Sequence, residues 1–205
     1  MPNGSLAIQG SPLNWAWSFR DFLREGLSPS ARDASPPPRD VEEGKRKLTI
    51  LWAFRRKEDF ARLKDEVRAG TVHAVLISMK LEKYVSKSII AVGRILPDDV
   101  IGRRPWDYWP EGEGWDYKFF IRVDRVAPAI LETIPILEKL EPGDFREGGR
   151  VWSEVLSKWA TSVISLVPSY IMRGSLFTLP EHVAEQVNVL TRIMLREASP
   201  RLTWD

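Results

Sequence analysis

The sequence predicts an α+β fold in which a small, curled and mostly antiparallel β-barrel is flanked by helices. Short apolar, β-branched runs recur through the middle of the chain, and helical patterns gather toward its end. Adjacent strands without regular helical crossovers favour an antiparallel sheet over a doubly wound one. The 205 residues, 43% hydrophobic and 28% charged, are enough for one globular domain with appendages.

The first 44 residues divide into two parts. Residues 1–27 are predicted to be an N-terminal amphipathic segment, because Trp15 and Phe19 lie at helical spacing within a helix over 13–27. Residues 28–44 are rich in proline and serine, which predicts a linker. The front helix is therefore expected either to dock onto the main domain or to contact a partner.

The main domain is predicted to span residues 45–198, followed by a tail over 199–205. Strands are predicted over residues 48–54, 71–79, 88–96 and 115–123. Helices are predicted over residues 57–69, 151–166 and 180–195. Pro135 interrupts residues 129–140, which predicts a loop with a short turn or helix, and 173–179 is predicted to be a short strand or turn. Gly93, inside the third strand, indicates a bulge or a close backbone approach.

Several classes of catalytic site are excluded by the composition and motifs. The chain has no cysteine, so it has no thiol nucleophile and no thiolate zinc site. His73, a predicted core residue, and His182, a predicted surface residue, are far apart in sequence. Asp98 and Asp99 are predicted to cap a turn. Phosphate-binding glycine loops and a G-x-S-x-G motif are absent. We therefore expect no enzyme activity and no cofactor or metal.

Hydropathy indicates neither a membrane partner nor export. No apolar run approaches the roughly 20 residues that a membrane-spanning helix needs. The first residues lack the basic and then apolar pattern of a secretory signal. A cytoplasmic location is the expectation.

The long loop over residues 97–114 is unusually rich in aromatic side chains. Proline and glycine keep it irregular, so its tryptophans are expected at the surface, where they can stack on a nucleobase. A carboxylate and a hydroxyl beside them could read an exocyclic amino group. The candidate base-binding residues are Trp106, Asp107, Tyr108, Trp109 and, from the first predicted strand of the main domain, Trp52. The alternative is that one loop tryptophan closes the end of the barrel while another covers an apolar patch.

The basic residues are clustered, although the net charge is only +2. Such clusters are typical of a nucleic-acid footprint, and the alternative is an ordinary solvated surface of mixed charge. The candidate phosphate contacts are Lys45, Arg46, Lys47, Arg55, Arg56, Lys57, Arg94, Arg103 and Arg104.

Four stretches of the main domain resemble the EVE and YTH domains of the PUA-like superfamily. The stretches are IIAVGRIL (89–96), WDYWP (106–110), WDYKFFIRV (115–123) and RGSLFTLPE (173–181). Together the resemblance covers roughly residues 45–195. It implies a small β-barrel with surrounding helices and a pocket for a modified base.

The resemblance also implies what the pocket holds. YTH domains hold N6-methyladenine in an aromatic cage, and some EVE relatives hold modified cytosines. Trp106 and Trp109 match the loop part of that cage. The second cage position falls in residues 69–73, which contain no tryptophan, so Trp52 or Tyr108 would take its place. Relatives of this fold also form the N-terminal specificity modules of McrB-type restriction proteins.

The sequence thus predicts a non-catalytic domain that recognises a modified base, N6-methyladenine or another methylated base, flipped out of DNA. DNA is favoured over RNA as the partner, and a motor domain or nuclease subunit is a possible protein partner. One alternative is an RNA-binding module that reads methylated RNA. The other is a protein-interaction domain that uses the aromatic loop, since tryptophan, tyrosine and arginine also dominate protein interfaces.

Overall fold

The computed structural model describes most of the chain and divides it into strands and helices of an α+β fold. The described residues are 5–20, 41–42, 45–46, 48–79, 87–104, 108–109, 114–137, 139–144, 150–160, 164–165 and 175–198. Within them, a curled and mostly antiparallel sheet forms a half-barrel with five helices around it. The predicted fold class is therefore confirmed at this level.

The bounds of the elements follow the hydrophobic pattern closely. The strands are β1 (Ser5–Gly10), β2 (Val41–Glu42), β3 (Lys45–Arg46), β4 (Leu48–Phe54), β5 (Val72–Ser78), β6 (Ser88–Ile95), β7 (Val100–Arg103), β8 (Tyr117–Val126), β9 (Ile164–Ser165), β10 (Leu176–Thr178) and β11 (Arg196–Glu197). The helices are α1 (Pro12–Arg20), α2 (Lys57–Arg68), α3 (Pro128–Leu137), α4 (Arg150–Ala160) and α5 (Glu181–Met194). The four strands predicted for the main domain are all present, and the helices predicted over 57–69 and 180–195 correspond to α2 and α5. The helix predicted over 151–166 is wrong at its end, because α4 ends at Ala160 and Ile164–Ser165 form the strand β9.

The main sheet is organised around β8. Its strand order is β10-β1-β5-β6-β8-β11, with β4 and β7 also paired to β8, and β9 paired to β6. The β1–β5 pair is parallel and the other described pairs are antiparallel. Because β8 is rich in aromatic and β-branched residues and pairs with four strands, it carries the centre of the core.

The front of the chain belongs to this sheet, which the sequence analysis did not predict. Strand β1 lies between β5 and β10, and α1 follows it directly. Trp15 and Phe19 on α1 are fully buried. The described part of the first segment therefore docks onto the main domain. The rest of the predicted front helix, residues 21–27, lies outside the described residues, as do the predicted linker apart from β2 and the predicted tail over 199–205.

One open alternative is decided in favour of a helix, and two local expectations need correction. Residues 128–137 form the helix α3 despite Pro135, because the apolar side chains around it pack into the core and a proline near the helix end removes few hydrogen bonds. Strand β7 lies within residues predicted as loop. His73 is exposed rather than buried, because strand β5 turns that position outward.

Two local features agree with the sequence prediction: the close backbone approach at Gly93 and the side-chain cap at Asp99. A register shift separates Val92 from Gly93, and a Cβ atom at Gly93 would collide with the carbonyl oxygen of Arg122 on β8. Gly93 is thus required for a close backbone approach, as predicted. Asp99 ends a 3-10 turn and accepts a hydrogen bond from the Leu96 amide at 2.9 Å, which confirms the predicted cap.

Asp99 has a second partner that the sequence analysis did not predict. Its carboxylate is fully buried and forms an ion pair with Arg122, with Nε 2.9 Å and Nη2 3.0 Å from its two oxygens. Removing either partner of a buried ion pair strongly destabilises the protein, because the remaining charge would stay buried and uncompensated. The pair fixes the turn before β7 onto β8.

The described helices are short. The longest, α5, has 14 residues, which corresponds to about 21 Å of helix. None of the helices in the described ranges is both long and apolar enough to cross a membrane.

Gly93→Ala is expected to destabilise the protein by about 1–3 kcal/mol, because the new methyl group must displace the backbone of β8. Gly143→Ala is the matched control, since a Cβ atom there would meet no atom within 4 Å. Urea unfolding measures both, with the midpoint falling at an unchanged slope for Gly93→Ala. Equal midpoints for the two variants would contradict the close approach at Gly93.

Candidate functional site

Five aromatic residues from three parts of the chain pack into one cluster. We call Trp15, Trp52, Tyr108, Trp109 and Trp115 the aromatic cluster. The rings of Trp15 on α1 and Trp52 on β4 are stacked, with centroids 3.5 Å apart and planes 10° apart. Trp109 stands at 74° to Trp52 and at 87° to Tyr108. The aromatic cluster thus contains one stacked pair of rings and two pairs that pack edge to face.

The aromatic cluster is closed in this structure. Trp52 is 1% exposed, Trp109 3% and Tyr108 6%, so each ring fills the space beside its neighbours. Trp52 lies so close to β1 that a Cβ atom at Gly10 would collide with its ring. Trp15, Trp52, Tyr108 and Trp109 are part of the hydrophobic core, and Trp115 packs against it.

Hydrogen bonds hold the aromatic cluster to the sheet. The Trp109 indole donates to the Ser18 hydroxyl at 3.0 Å, and Ser18 donates to the Leu51 carbonyl at 2.8 Å. The Trp15 indole donates to the Ile77 carbonyl at 3.0 Å. These bonds satisfy buried donors that would otherwise each cost about 1–3 kcal/mol. They also connect the loop before β8 to α1, β4 and β5.

The loop that carries Tyr108 and Trp109 is anchored by a buried ammonium group. Lys118 on β8 is fully buried, and its Nζ donates to the carbonyls of Arg104 at 2.5 Å and Trp115 at 2.6 Å. These two carbonyls lie on either side of the loop. Lys118 therefore fixes the backbone on both sides of Tyr108 and Trp109 in the chain.

The structure brings some of the predicted base-binding residues together and leaves others undescribed. Trp52, Tyr108 and Trp109 are in contact within the cluster. The expectation that Trp109 lies at the surface is wrong, because its indole N–H has a partner in the core. Trp106 and Asp107 lie outside the described residues.

Sequence reasoning missed Trp15 and Trp115 of the aromatic cluster, and Ser18, which accepts the hydrogen bond from Trp109. Trp15 and Ser18 are three residues apart on α1, so they lie on neighbouring positions of one helix face. That spacing was visible in the sequence, but nothing there indicated that this face would meet the loop before β8. The contact between α1 and this loop could have been predicted only if β1 had been assigned to the main sheet.

Exposed cations from two distant parts of the chain lie at the same end of the sheet. In the strand register, Phe54 at the end of β4 pairs with Tyr117 on β8, and Tyr117 also pairs with Arg103 at the end of β7. The residues that follow these strand ends therefore lie at the same end of the sheet, on either side of β8. We call the exposed residues Arg55, Arg56, Lys57, Arg103 and Arg104 the basic corner.

The basic corner adjoins the aromatic cluster. The guanidinium carbon of Arg55 lies 4.5 Å from the ring centroid of Trp115, a cation–π distance. Arg103 is 69% exposed and forms an ion pair with Asp116 at 3.2 Å. Glu58 and Asp59, in the first turn of α2, also lie near these cations, and burial raises the pKa of the Asp59 carboxyl.

The remaining predicted phosphate contacts lie elsewhere. Lys45 and Arg46 form β3, which precedes the start of β4 and so lies about 20 Å from its far end. Arg94 is held by Asp124 through three hydrogen bonds of 2.9 to 3.1 Å, which offsets its charge. Lys47 lies outside the described residues.

No known protein family and no curated protein matches this sequence. The resemblance to EVE and YTH domains therefore rests on the sequence stretches that carry it. Among the residues the structure describes, no group of three or more histidine, aspartate or glutamate side chains is placed to hold a metal ion. The basic corner and the aromatic cluster are the two candidate sites, since function resides in particular sites rather than in a fold.

Ser18→Ala is expected to destabilise the protein by about 1–3 kcal/mol, because it leaves the buried Trp109 N–H without an acceptor. Trp109→Phe removes the donor, so adding Ser18→Ala to it should destabilise less than Ser18→Ala does alone. Denaturant unfolding of the single and double variants measures this coupling. Ser153→Ala, at an exposed position of α4, is the control. Fully additive effects would contradict the bond.

Proposed function

We propose that this chain is a non-catalytic nucleic-acid-binding domain of the PUA-like, EVE/YTH type, with DNA as the favoured partner. The observation that carries the proposal is the basic corner, where the register of β4, β8 and β7 places Arg55–Lys57 and Arg103–Arg104 at the same end of the sheet, on either side of β8. Arginine matches the geometry of phosphate oxygens and supplies several donors in a fixed plane.

The charge distribution fits binding through one face. The net charge of the whole chain is only +2, so a large nonspecific attraction over the entire surface is not expected. The basic corner concentrates five cations, and Asp116 offsets part of this charge at Arg103. Phosphate contacts of this kind position the nucleic acid but do not read its sequence.

A modified base, N6-methyladenine or another methylated base, is the proposed specific ligand. It would be flipped into the aromatic cluster, where the rings of Trp52 and Trp109 stand at 74° to each other. Because the cluster is closed, Tyr108 and Trp109 must move away to admit the base. Stacking contributes roughly 1–3 kcal/mol per base, and flipping costs a few kcal/mol. A buried methyl group adds only about 0.8 kcal/mol, or roughly fourfold in affinity.

The resemblance to the specificity modules of McrB-type proteins adds a context to this proposal. The domain would direct a modification-dependent restriction system to its target, with a motor domain or nuclease subunit as protein partner. The same surface could instead bind methylated RNA, and a competition titration between DNA and RNA distinguishes the two ligands.

Neutralising the basic corner is expected to weaken binding to modified and plain DNA alike. Arg103→Ala combined with Arg104→Ala, and Arg55→Ala alone, should lower affinity and flatten the salt dependence by about 0.9 for each phosphate that is no longer neutralised. Fluorescence anisotropy over a salt series measures the slope. The control is Lys158→Ala, which removes an exposed cation from α4. An unchanged slope in all variants would contradict phosphate binding at the corner.

Trp109→Phe is expected to reduce discrimination between methylated and plain oligonucleotides while leaving the salt slope unchanged. Trp159→Phe is the matched control, because Trp159 is also buried and its substitution also removes one indole hydrogen bond, to Thr133 at 2.8 Å. The measurement is a competition titration with matched DNA duplexes and RNA strands, each methylated and plain. Equal affinity of the unaltered protein for all four would overturn base reading, and preference for methylated RNA would replace DNA as the ligand.

A further inference from the structure

A groove lies between helix α2 and the residues of the β7 region. Its volume is about 230 Å³, and buried or half-buried apolar side chains form much of its lining: Phe60, Val67, Val100 and Ile101. The exposed side chains of Lys64 and Arg68 also line it, and none of the described lining residues is acidic. The volume is below the about 300–1,000 Å³ of ordinary small-molecule sites, so the groove suits one small group beside an anion rather than a whole cofactor.

Both walls of the groove are fixed to strand β8. The ring of Phe60 on α2 stacks on Tyr117, with centroids 5.4 Å apart and planes 29° apart. On the other side, Val100 pairs with Phe119, and the turn before Val100 is held by the buried ion pair of Asp99. A ligand that enters the groove therefore meets a site that is already formed, and its binding does not have to order the walls.

The charges of α2 are segregated around the helix. Lys64 and Arg68 follow Lys57 by seven and eleven residues, which is close to two and three full turns, so the three cations lie on the flank that borders the groove. The four acidic residues of the helix fall at other positions around it, and one of them, Asp65, pairs with Arg68 at 3.5 Å. We call Lys57, Lys64 and Arg68 the basic flank of α2.

One end of the groove adjoins the basic corner. Lys57 belongs both to the basic corner and to the basic flank, and Gly102, which also lines the groove, is followed in the chain by Arg103. From Lys57 to Arg68 the helix rises about 16 Å. The basic flank therefore extends the positive charge of the corner along the whole of α2, and this continuity favours an occupant that is also bound at the corner.

We propose that the sugar–phosphate backbone of the nucleic acid bound at the basic corner continues along this groove. Lys64 and Arg68 contact its phosphates, and a deoxyribose packs on the apolar lining. Charged phosphates alternate with less polar sugars along a strand, which matches exposed cations beside an apolar groove. This contact depends on the proposed function and gives the bound strand a direction along α2. It positions the strand and does not read its sequence.

Arg68→Ala and Lys64→Ala should each weaken binding to a plain DNA duplex several-fold and make the salt dependence less steep by about 0.9. The matched control is Arg62→Ala, which removes the same charge from the opposite side of the same helix, where Arg62 donates to the Thr178 hydroxyl of β10. Fluorescence anisotropy over a salt series measures affinity and slope. Equal slopes for Arg68→Ala and Arg62→Ala would overturn the proposal.

Blocking the groove tests whether the strand enters it. The chain has no cysteine of its own, so Ile101→Cys provides a single thiol in the groove for coupling to a bulky maleimide. The labelled protein should bind the duplex several-fold more weakly than the same variant before labelling, a comparison that removes any effect of the substitution itself. Ser153→Cys with the same label, at an exposed position of α4, should bind as before. Unchanged affinity after labelling at residue 101 would show that the strand does not enter the groove.

The variants of the basic corner separate this contact from the proposed function. If Arg103→Ala combined with Arg104→Ala flattens the salt slope and the Lys64 and Arg68 variants do not, binding at the corner stands and the groove is no part of it. If the unaltered protein binds no duplex at low salt, the proposed function fails as well. Protection of Ile101→Cys from labelling by an apolar carboxylate such as octanoate, but not by DNA, would assign the groove to a different ligand and overturn the proposal.

Discussion

The aromatic cluster depends on the buried ammonium group of Lys118. This group donates to the carbonyls of Arg104 and Trp115, which flank the loop that brings Tyr108 and Trp109 onto the sheet. A buried charge is tolerated in a protein only where strong acceptors surround it, and carbonyl oxygens fill that role here. The same β8 strand carries Arg122, which anchors the turn before β7 through Asp99. Arg122 thus holds the turn before β7, and Lys118 holds Arg104, the residue after it. Together they position Arg103 and Arg104 of the basic corner.

This arrangement links the aromatic cluster to the basic corner, the two sites on which the proposed function depends. Arg103 and Arg104 lie at the end of β7, and the Arg104 carbonyl is one of the two acceptors of Lys118. Arg55 lies against Trp115, which belongs to the aromatic cluster. A movement of the loop that opened the cluster would therefore also move cations of the basic corner. Phosphate binding and base access are expected to influence each other, because the same strand ends position both.

Sequence reasoning recovered the elements whose pattern is local and missed those that depend on long-range pairing. The bounds of β4 and α2 and the role of Gly93 follow from periodicity and glycine chemistry. Strand β1 has only a three-residue apolar run, Leu6–Ile8, and its partners β5 and β10 are distant in sequence. Trp109 was expected at the surface because proline and glycine surround it. Its burial depends on Ser18, 91 residues away, which no local pattern shows.

In the proposed function, the closed state of the aromatic cluster sets the energetics of base reading. Opening it exposes Tyr108 and Trp109 and breaks the bond to Ser18, which together cost at least about 3 kcal/mol. The open form would then be populated in roughly one molecule in a hundred, and the apparent affinity for a flipped base falls by the same factor. The basic corner carries no such penalty, since its cations are already exposed. Nonspecific binding through phosphate should therefore dominate at low salt. Selectivity for a modified base should emerge as salt weakens that background, because stacking inside an apolar cluster depends little on ionic strength.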